Sequence, residues 1–174
     1  MTGSPIPEGC AFERLRKAHQ RRDFLSGEIA VDDWLATKAL QHQEKRLSVT
    51  TVLVNERGQL LGYYTLTSAQ VDVAALPADM VKKLPRRPLP VAVLAWLGVS
   101  AHSQGEGLGS LLVARALREC FEASGMVGFI GVVLDCVSES AKTFFQQWDF
   151  SELPGQPMKL FLSARRLEAM MGAD

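Results

Sequence analysis

The hydrophobic and polar residues of the first half of the chain follow two different periods. Residues 12–17 predict a short strand. Ser26 and Gly27 then precede a predicted amphipathic helix, whose apolar residues recur at three- and four-residue steps from Val31 to Leu40 and which ends near Gln43. Residues 47–54 and 59–69 are rich in β-branched and apolar side chains. The turn signal Asn-Glu-Arg-Gly over 55–58 lies between them, so the pair predicts an antiparallel hairpin.

The middle of the chain changes character before a strongly apolar run. Residues 74–84 predict a short helix, and Pro85, Pro88 and Pro90 then predict a stiff loop without regular structure. Residues 91–99 are apolar at nearly every position, which is typical of a central strand covered on both faces.

The last third alternates helices and strands. The predicted elements are a helix over 107–123, a strand over 127–137, a helix over 138–148 capped by Ser138, a strand over 158–163 and a terminal helix over 165–171. Gly125 is expected to end the first of these helices. The alternation indicates an α/β protein.

Composition limits the class of protein. The chain has 174 residues, 47% of them hydrophobic, and 19 acidic against 19 basic side chains, so we expect a single globular domain over residues 1–174. No apolar run approaches the roughly 20 residues that span a membrane, and the N-terminus does not resemble a signal peptide. Cys10, Cys120 and Cys136 lack a metal-binding spacing, so we expect reduced thiols, no metal and a cytoplasmic protein.

Basic residues are clustered although the net charge is zero. The clusters lie over residues 14–22, 82–87 and 165–166. If they converged on one face they could bind phosphate groups, and otherwise they form an ordinary solvated surface.

The candidate chemistry lies in the glycine-rich turn after residues 91–99. A buried strand that runs into such a turn and then a helix presents backbone N–H groups, which bind phosphate. The turn has no Gly-Lys-Ser/Thr, which excludes a nucleotide triphosphatase loop. It also lacks the last glycine of G-x-G-x-x-G, and no acidic residue follows about 20 positions on in a βαβ unit. An ordinary glycine-rich turn is the alternative.

Gln104, Gly107 and Gly109 have the spacing Q-x-x-G-x-G, which resembles the pyrophosphate signature of the GNAT acetyltransferases. The resemblance implies acetyl-CoA as co-substrate, no metal, and an α/β fold with a central mixed sheet and helices on both faces. It also implies that the central strand and the next one run parallel and splay apart at the coenzyme. The coenzyme-binding residues it implies are Leu97, Gly98, Val99, Gln104, Gly105, Glu106, Gly107, Leu108, Gly109, Ser110 and Ser138.

Within that superfamily, residues 20–165 resemble the acetyltransferase toxins of type II toxin–antitoxin modules. The segments that carry the likeness are 24–35, 61–66, 76–86, 141–145 and 160–162. The likeness implies an enzyme that acetylates the amine of aminoacyl-tRNA, forms a homodimer and is neutralised by a ribbon-helix-helix antitoxin. Two alternatives stay open: a GNAT enzyme for a small-molecule or protein amine, and a non-catalytic acyl-CoA-binding module.

Three positions depart from the toxin pattern. Trp96-Leu97-Gly98-Val99 replaces Arg-Leu-Ala-Val, Phe145 replaces the general-acid tyrosine, and Asp149 replaces a glycine. If Phe145 stands where the general-acid tyrosine belongs, we expect slow turnover with nearly intact coenzyme binding. The alternative is that Phe145 is simply a core residue. Trp96 either fills the core or replaces an arginine that places the substrate.

Substitutes for the missing catalytic groups are few. Tyr63 and Tyr64 are the only tyrosines, and either could replace the missing acid if it were not packed in a strand. Glu106 and Glu139 flank the matching motifs and are expected to face solvent. Ser138 is either a contact of the coenzyme arm or a simple helix cap.

Overall fold

The computed structural model describes residues 5–172. The strands are β1 Ala11–Arg14, β2 Val49–Val54, β3 Leu60–Val71, β4 Leu89–Val99, β5 Gly131–Asp135, β6 Ser151–Leu153 and β7 Gln156–Ser163. The helices are α1 Ile29–Thr37, α2 Ala39–Glu44, α3 Ala78–Val81, α4 Leu108–Ser124, α5 Glu139–Gln146 and α6 Ala164–Met171. Short 3₁₀ turns cover Arg21–Asp23, Val73–Ala75 and Ala101–Ser103.

Hydrogen bonds link the strands in the order β1-β2-β3-β4-β5-β7-β6. The hairpin of β2 and β3 is antiparallel, and β1 adds to it antiparallel. β4 pairs in parallel with β5, through Ala92 with Val132 and Val93 with Val133. β7 pairs antiparallel with both β5 and β6. The sheet is therefore mixed, which confirms the expected α/β class and the parallel pair at its centre. The splaying of that pair stays a prediction.

The described chain divides into two compact units. The N-terminal unit contains the residues up to Thr67 together with Leu94–Ala116. Its core is built by apolar side chains from α1, α2 and the antiparallel strands. The members are Leu15, Phe24, Val31, Trp34, Leu35, Ala39, Val52, Val54, Leu60 and Tyr63, with Leu40 and Trp96 packed against them.

The C-terminal unit contains Ser68–Val93 and the residues from Leu117 onward. Its buried cluster consists of Val73, Leu76, Leu89, Val91, Val133, Leu153 and Phe161. Gly131 is needed at the start of β5, because a Cβ there would stand 2.5 Å from the carbonyl oxygen of Leu162. The expectation of a single domain over 1–174 stays a prediction.

The long first helix predicted after Gly27 and up to about Gln43 is two helices in the structure. Lys38 breaks it by adopting φ −125° and ψ −36° between α1 and α2. The apolar spacing hides this break because Trp34, Leu35 and Ala39, on either side of it, are all buried in the same core. The helix predicted over 74–84 is also interrupted, into the 3₁₀ turn Val73–Ala75 and the single turn α3.

The prediction that the loop of Pro85, Pro88 and Pro90 contains no regular structure is wrong at its C-terminal end. β4 begins at Leu89 and includes Pro90. A proline lacks the N–H donor but keeps its carbonyl acceptor, and the Pro90 oxygen accepts a hydrogen bond of 3.0 Å from Ile130 N. β5 is shorter than its predicted span, and the three-residue β6 had no sequence signal.

Candidate functional site

The glycine-rich turn leaves the end of β4 and is anchored by backbone hydrogen bonds on both sides. Ser100 N donates to Leu61 O at 2.8 Å, which joins the end of β4 to the start of β3. Ala101 N donates to Leu25 O at 2.8 Å, which joins the turn to the chain before α1. The turn therefore lies at a fixed place at the end of the strand.

Two glycines give this turn its path. Gly105 and Gly107 have φ of +82° and +81°, a left-handed conformation that side chains other than glycine rarely adopt. A Cβ built on Gly105 meets no atom of the protein within 4 Å. Gln104, Gly105, Glu106 and Gly107 are exposed. The peptide groups of the turn are therefore open to a ligand that approaches closely.

Helix α4 starts directly after the turn. Its first backbone hydrogen bond runs from Leu111 N to Gly107 O at 3.2 Å. The N–H groups of Leu108, Gly109 and Ser110 precede that bond and have no helical acceptor. They lie at the positive end of a 17-residue helix dipole, which favours an anion. Leu108 is buried and fixes the first turn of the helix in the core.

The side chain of Gln104 forms hydrogen bonds to two backbone carbonyls of the protein. Its Nε2 donates to Ser26 O at 2.7 Å and to Val99 O at 3.2 Å. Ser26 is held in turn by Asp32, whose Oδ1 accepts from Ser26 Oγ at 2.6 Å and from Ser26 N at 2.9 Å. This hydrogen bond was not predicted from the sequence, because nothing in the spacing of the turn points to a segment 78 residues away.

The end of β4 offers backbone rather than side chains. Leu97 and Val99 are partly buried, and Gly98 is buried. A Cβ on Gly98 would lie 2.6 Å from Val31 Cγ1 and 3.3 Å from Tyr63 Cε1. Gly98 thus lets α1 pack closely against the strand. Leu97, Gly98, Val99 and residues 104–110 lie together in the N-terminal unit, although their contact with a coenzyme stays a prediction.

Trp96 packs against the core of the same unit. Its ring stacks on Trp34 with centroids 5.2 Å apart and an interplanar angle of 10°. Trp34 Nε1 donates to Thr65 Oγ1 at 3.1 Å, and Trp34 is 9% exposed. These contacts give Trp96 a structural role at the position where the toxin pattern has an arginine.

Ser138 caps α5 in the C-terminal unit. Its Oγ accepts a hydrogen bond from Ala141 N at 3.1 Å and lies 3.0 Å from Ser140 Oγ. Ser138 has the extended backbone usual for an N-cap residue, with φ −159°. The capping role is therefore confirmed, and a contact of Ser138 with the coenzyme arm stays a prediction.

Phe145 is a buried residue of α5 with 8% exposure. Its ring lies 5.2 Å from that of Phe144 and 6.0 Å from that of Phe150, both in edge-on geometry. The side chain therefore packs among aromatic rings and has no group that could transfer a proton. Asp149 ends the helical segment with φ +66°, so it occupies the left-handed position at which the toxin pattern has glycine.

The two tyrosines are packed side chains. Tyr63 is fully buried, its hydroxyl donates to Val31 O at 2.6 Å, and burial raises its pKa well above the ordinary value. Tyr64 is also fully buried. Tyr63 therefore cannot readily supply a proton to a reacting group. Glu106 and Glu139 are exposed, as expected.

A cavity of about 340 Å³ lies beside the turn within the N-terminal unit. Phe24, Leu61, Ser100, His102 and Ser103 are among the residues that line it. The sequence did not predict this cavity, because its walls come from segments far apart in the chain.

Within residues 5–172, no three His, Cys, Asp or Glu side chains are grouped so that they could hold a metal ion. No helix in that range is long and apolar enough to cross a membrane. The basic side chains at 82, 83, 86, 87, 165 and 166 are exposed in the C-terminal unit, and most of those over 14–22 are exposed in the N-terminal unit.

Comparison with known proteins gives consistent matches. Residues 12–150 match the acetyltransferase (GNAT) family. A tRNA-acetylating toxin of Mycobacterium tuberculosis (strain ATCC 25618 / H37Rv) is 31% identical over 162 residues, which cover 93% of this chain and 96% of that protein.

Solved structures agree with the sequence comparison. AtaT complexed with acetyl-methionyl-tRNAfMet superposes with a TM-score of 0.85 and 29% identity, over 92% of this chain and 98% of the other. AtaTR bound with AcCoA superposes with a TM-score of 0.82 and 29% identity, over 94% of this chain and 99% of the other.

Proposed function

Because this chain belongs to the GNAT acetyltransferase family, we propose that it transfers the acetyl group of acetyl-CoA to the α-amino group of an aminoacyl-tRNA. The observation that carries the proposal is the nearly end-to-end match to a tRNA-acetylating toxin. Of the two structural relatives, one is bound with AcCoA and the other is complexed with acetyl-methionyl-tRNAfMet, which correspond to the acetyl donor and to an acetylated product of such a reaction.

The turn after β4 would hold the coenzyme. Its N–H groups at Leu108, Gly109 and Ser110 and the positive end of α4 suit a diphosphate, and the glycines let the backbone approach it. The peptide groups of Leu97 and Val99 would pair with the pantetheine arm as an added strand does. An N–H near Gly98 or Val99 would donate to the thioester oxygen as negative charge develops there.

The proposed acceptor fits a site without a strong base. A lysine side chain has a pKa near ~10.4, whereas an α-amino group has one near ~8 and an aminoacyl ester a lower one. Such an amine is partly neutral at pH 7 and can attack the thioester directly. Glu106 and Glu139, the acids that flank the matching motifs, are exposed to solvent.

The departure of coenzyme A is the step that the Phe145 substitution is expected to slow. Attack by the neutral amine forms the new amide bond and breaks the thioester C–S bond. Coenzyme A leaves as a thiolate, which is a tolerable leaving group because its conjugate thiol has a pKa of about 8.5. The proton that the amine nitrogen loses passes to this thiolate, directly or through solvent. Phe145 cannot protonate it, and Tyr63 is held by Val31. A missing general acid lowers rates by about 10²–10⁴-fold. The enzyme would therefore turn over slowly while it binds the coenzyme normally.

The resemblance to the toxins extends the proposal to partners. The chain would act in the cytoplasm as a homodimer, and a small ribbon-helix-helix antitoxin would neutralise it. Growth arrest on expression, relieved by the product of a neighbouring gene, would support this part of the proposal.

A second candidate function is favoured by the states of two aromatic side chains. Phe145 is buried and has no hydroxyl, and Tyr63 is already bound to the backbone. These are features of a module that binds acyl-CoA and catalyses nothing. Such a module would bind acetyl-CoA in calorimetry and yield no acetylated product with any amine.

The decisive assay uses labelled acetyl-CoA with a pool of charged tRNA. The proposal predicts label in the tRNA fraction, released on mild base treatment as N-acetyl amino acid. Parallel reactions contain deacylated tRNA, free polyamines and lysine peptides. Label in the amines or peptides alone would identify a different GNAT acceptor, and no label anywhere would identify the binding module.

A further inference from the structure

The segment from Phe24 to Ile29 is joined to the glycine-rich turn by two hydrogen bonds. One is a backbone bond, from Ala101 N to Leu25 O at 2.8 Å. The other comes from a side chain, from Gln104 Nε2 to Ser26 O at 2.7 Å. Because Gln104 Nε2 also donates to Val99 O at 3.2 Å, a single carboxamide links the end of β4, the turn and this segment.

The opposite side of the segment is attached to α1. Asp32 Oδ1 accepts hydrogen bonds from the backbone N and the hydroxyl of Ser26. Glu28 N donates to Ser26 Oγ at 3.1 Å. Gly27, between them, has φ +99° and nothing within 4 Å of a built Cβ. The segment is thus a short bend held at Ser26, and its position depends on the partners of that residue.

The segment also carries two apolar side chains that are largely exposed to solvent. Leu25 is 61% exposed and Ile29 is 87% exposed, although neighbouring Phe24 is buried at 3%. An acceptor that reaches a thioester at the end of β4 must pass the elements bound to that end. The segment bonded to Ala101 and Gln104 is such an element.

We propose that Gln104 is a positioning residue that couples coenzyme binding at the turn to the placement of the 24–29 segment, and through it to acceptor binding. The inference rests on the proposed function for the identity of the two ligands. When the turn binds a diphosphate, the added restraint on the turn reaches Ser26 through the Gln104 carboxamide. By linkage, an acceptor that orders the segment strengthens coenzyme binding by the same factor.

The test compares wild type with Gln104→Met, which keeps the length of the side chain and removes its donors. Hydrogen exchange of the 24–29 peptide is followed with and without coenzyme A, and the Kd of coenzyme A is measured by calorimetry. In wild type, we expect coenzyme A to slow exchange of this peptide by about tenfold. In Gln104→Met at saturating coenzyme A, as fixed by the measured Kd, we expect this slowing to be lost.

Two further variants separate coupling from damage to the fold. Gln104→Asn keeps the carboxamide but is one methylene too short to reach Ser26 O, so it should behave like Gln104→Met. Gln104→Arg keeps N–H donors that can reach both carbonyls, so it should restore the slowing. Gln70→Met, at an exposed position of β3, is the control and should match wild type. In the transfer assay, Gln104→Met should raise KM for charged tRNA about tenfold, a larger factor than the one by which it lowers kcat, whereas Gln70→Met should change neither.

The outcomes distinguish the inference from the proposed function. A wild-type chain that does not bind coenzyme A would overturn both. A wild type that binds coenzyme A with no slowing of exchange over 24–29 would overturn the inference alone, as would equal slowing in Gln104→Met. Loss of the slowing in all three Gln104 variants, Gln104→Arg included, would also overturn it, because the donors would then be irrelevant.

Discussion

Val31 Cγ1 lies 2.6 Å from the point where a Cβ on Gly98 would stand. This close approach packs α1 against the end of β4, just before the glycine-rich turn. The hydroxyl of Tyr63 donates a hydrogen bond to the carbonyl oxygen of the same valine. The glycine at this position, where the toxin pattern has alanine, is therefore explained by packing. The strand and the helix approach each other more closely than an alanine would allow.

Gly98→Ala should destabilise the protein by about 1–3 kcal/mol, because a methyl group inserted into a packed core forces backbone or rotamer shifts. Thermal and denaturant unfolding measure the change. Val31→Ala removes the opposing methyl groups, so Gly98→Ala should cost less in that background than in wild type. Equal costs in both backgrounds would show that the two residues do not oppose each other.

Trp96→Phe should retain most of the stability, whereas Trp96→Arg should lose about 1–3 kcal/mol, because the stack on Trp34 needs a flat apolar ring. Unfolding monitored by circular dichroism tests this without relying on tryptophan fluorescence. If Trp96→Arg were as stable as wild type and faster in acetyl transfer, the residue would occupy a substrate-placing position instead.

Phe145→Tyr should raise kcat for acetyl transfer by at least about tenfold, since a general acid contributes about 10²–10⁴-fold when it is well placed. The Kd of coenzyme A should stay unchanged. Phe144→Tyr, on the adjacent and less buried ring, is the matched control and should give no gain. A Phe145→Tyr variant with wild-type kcat would show that this position does not serve the leaving group.

Glu13 gives the protein an acid-sensitive contact. Hydrogen bonds from His19 at 2.8 Å and from Arg16 at 3.0 Å lower its pKa below the ordinary value of 4.5. A lowered pKa in the folded state stabilises the protein above the unfolded pKa, and this contribution is lost as the pH falls through the folded one. Wild type should therefore lose more stability than Glu13→Gln between about pH 5 and 3, by less than about 1 kcal/mol because Glu13 is partly exposed. Parallel pH profiles of Tm would contradict this.

The sequence predicted the order of the main elements and the cap at Ser138, because apolar periodicity and cap chemistry are local signals. It did not reveal the break at Lys38, since both helices bury residues in one core. The strand through Pro90 was missed because a proline forbids only the donor half of a strand pairing. In each of these cases, the deciding partner lies far away in the sequence.

In the candidate site, too, local features were predictable from the sequence and contacts with distant segments were not. The spacing of Gln104, Gly107 and Gly109 indicates a phosphate-binding turn, and the positive φ of Gly107 fits that pattern. The spacing cannot show that the Gln104 side chain faces Ser26, because that contact depends on how the chain before α1 folds back. The aspartate at 149 departs from the toxin pattern in sequence but keeps the left-handed backbone of a glycine.

The most direct test of the account is calorimetry of coenzyme A with Gly105→Ala. Gly105 and Gly155 both have positive φ, +82° and +72°, and open space around a built Cβ, so an alanine strains either turn alike. Gly155→Ala, in the β6–β7 turn, is therefore the matched control. Wild type and Gly155→Ala should bind coenzyme A alike, whereas Gly105→Ala should bind it at least about tenfold more weakly. Equal binding by all three proteins, or no binding by wild type, would contradict the claim that residues 104–110 hold the diphosphate.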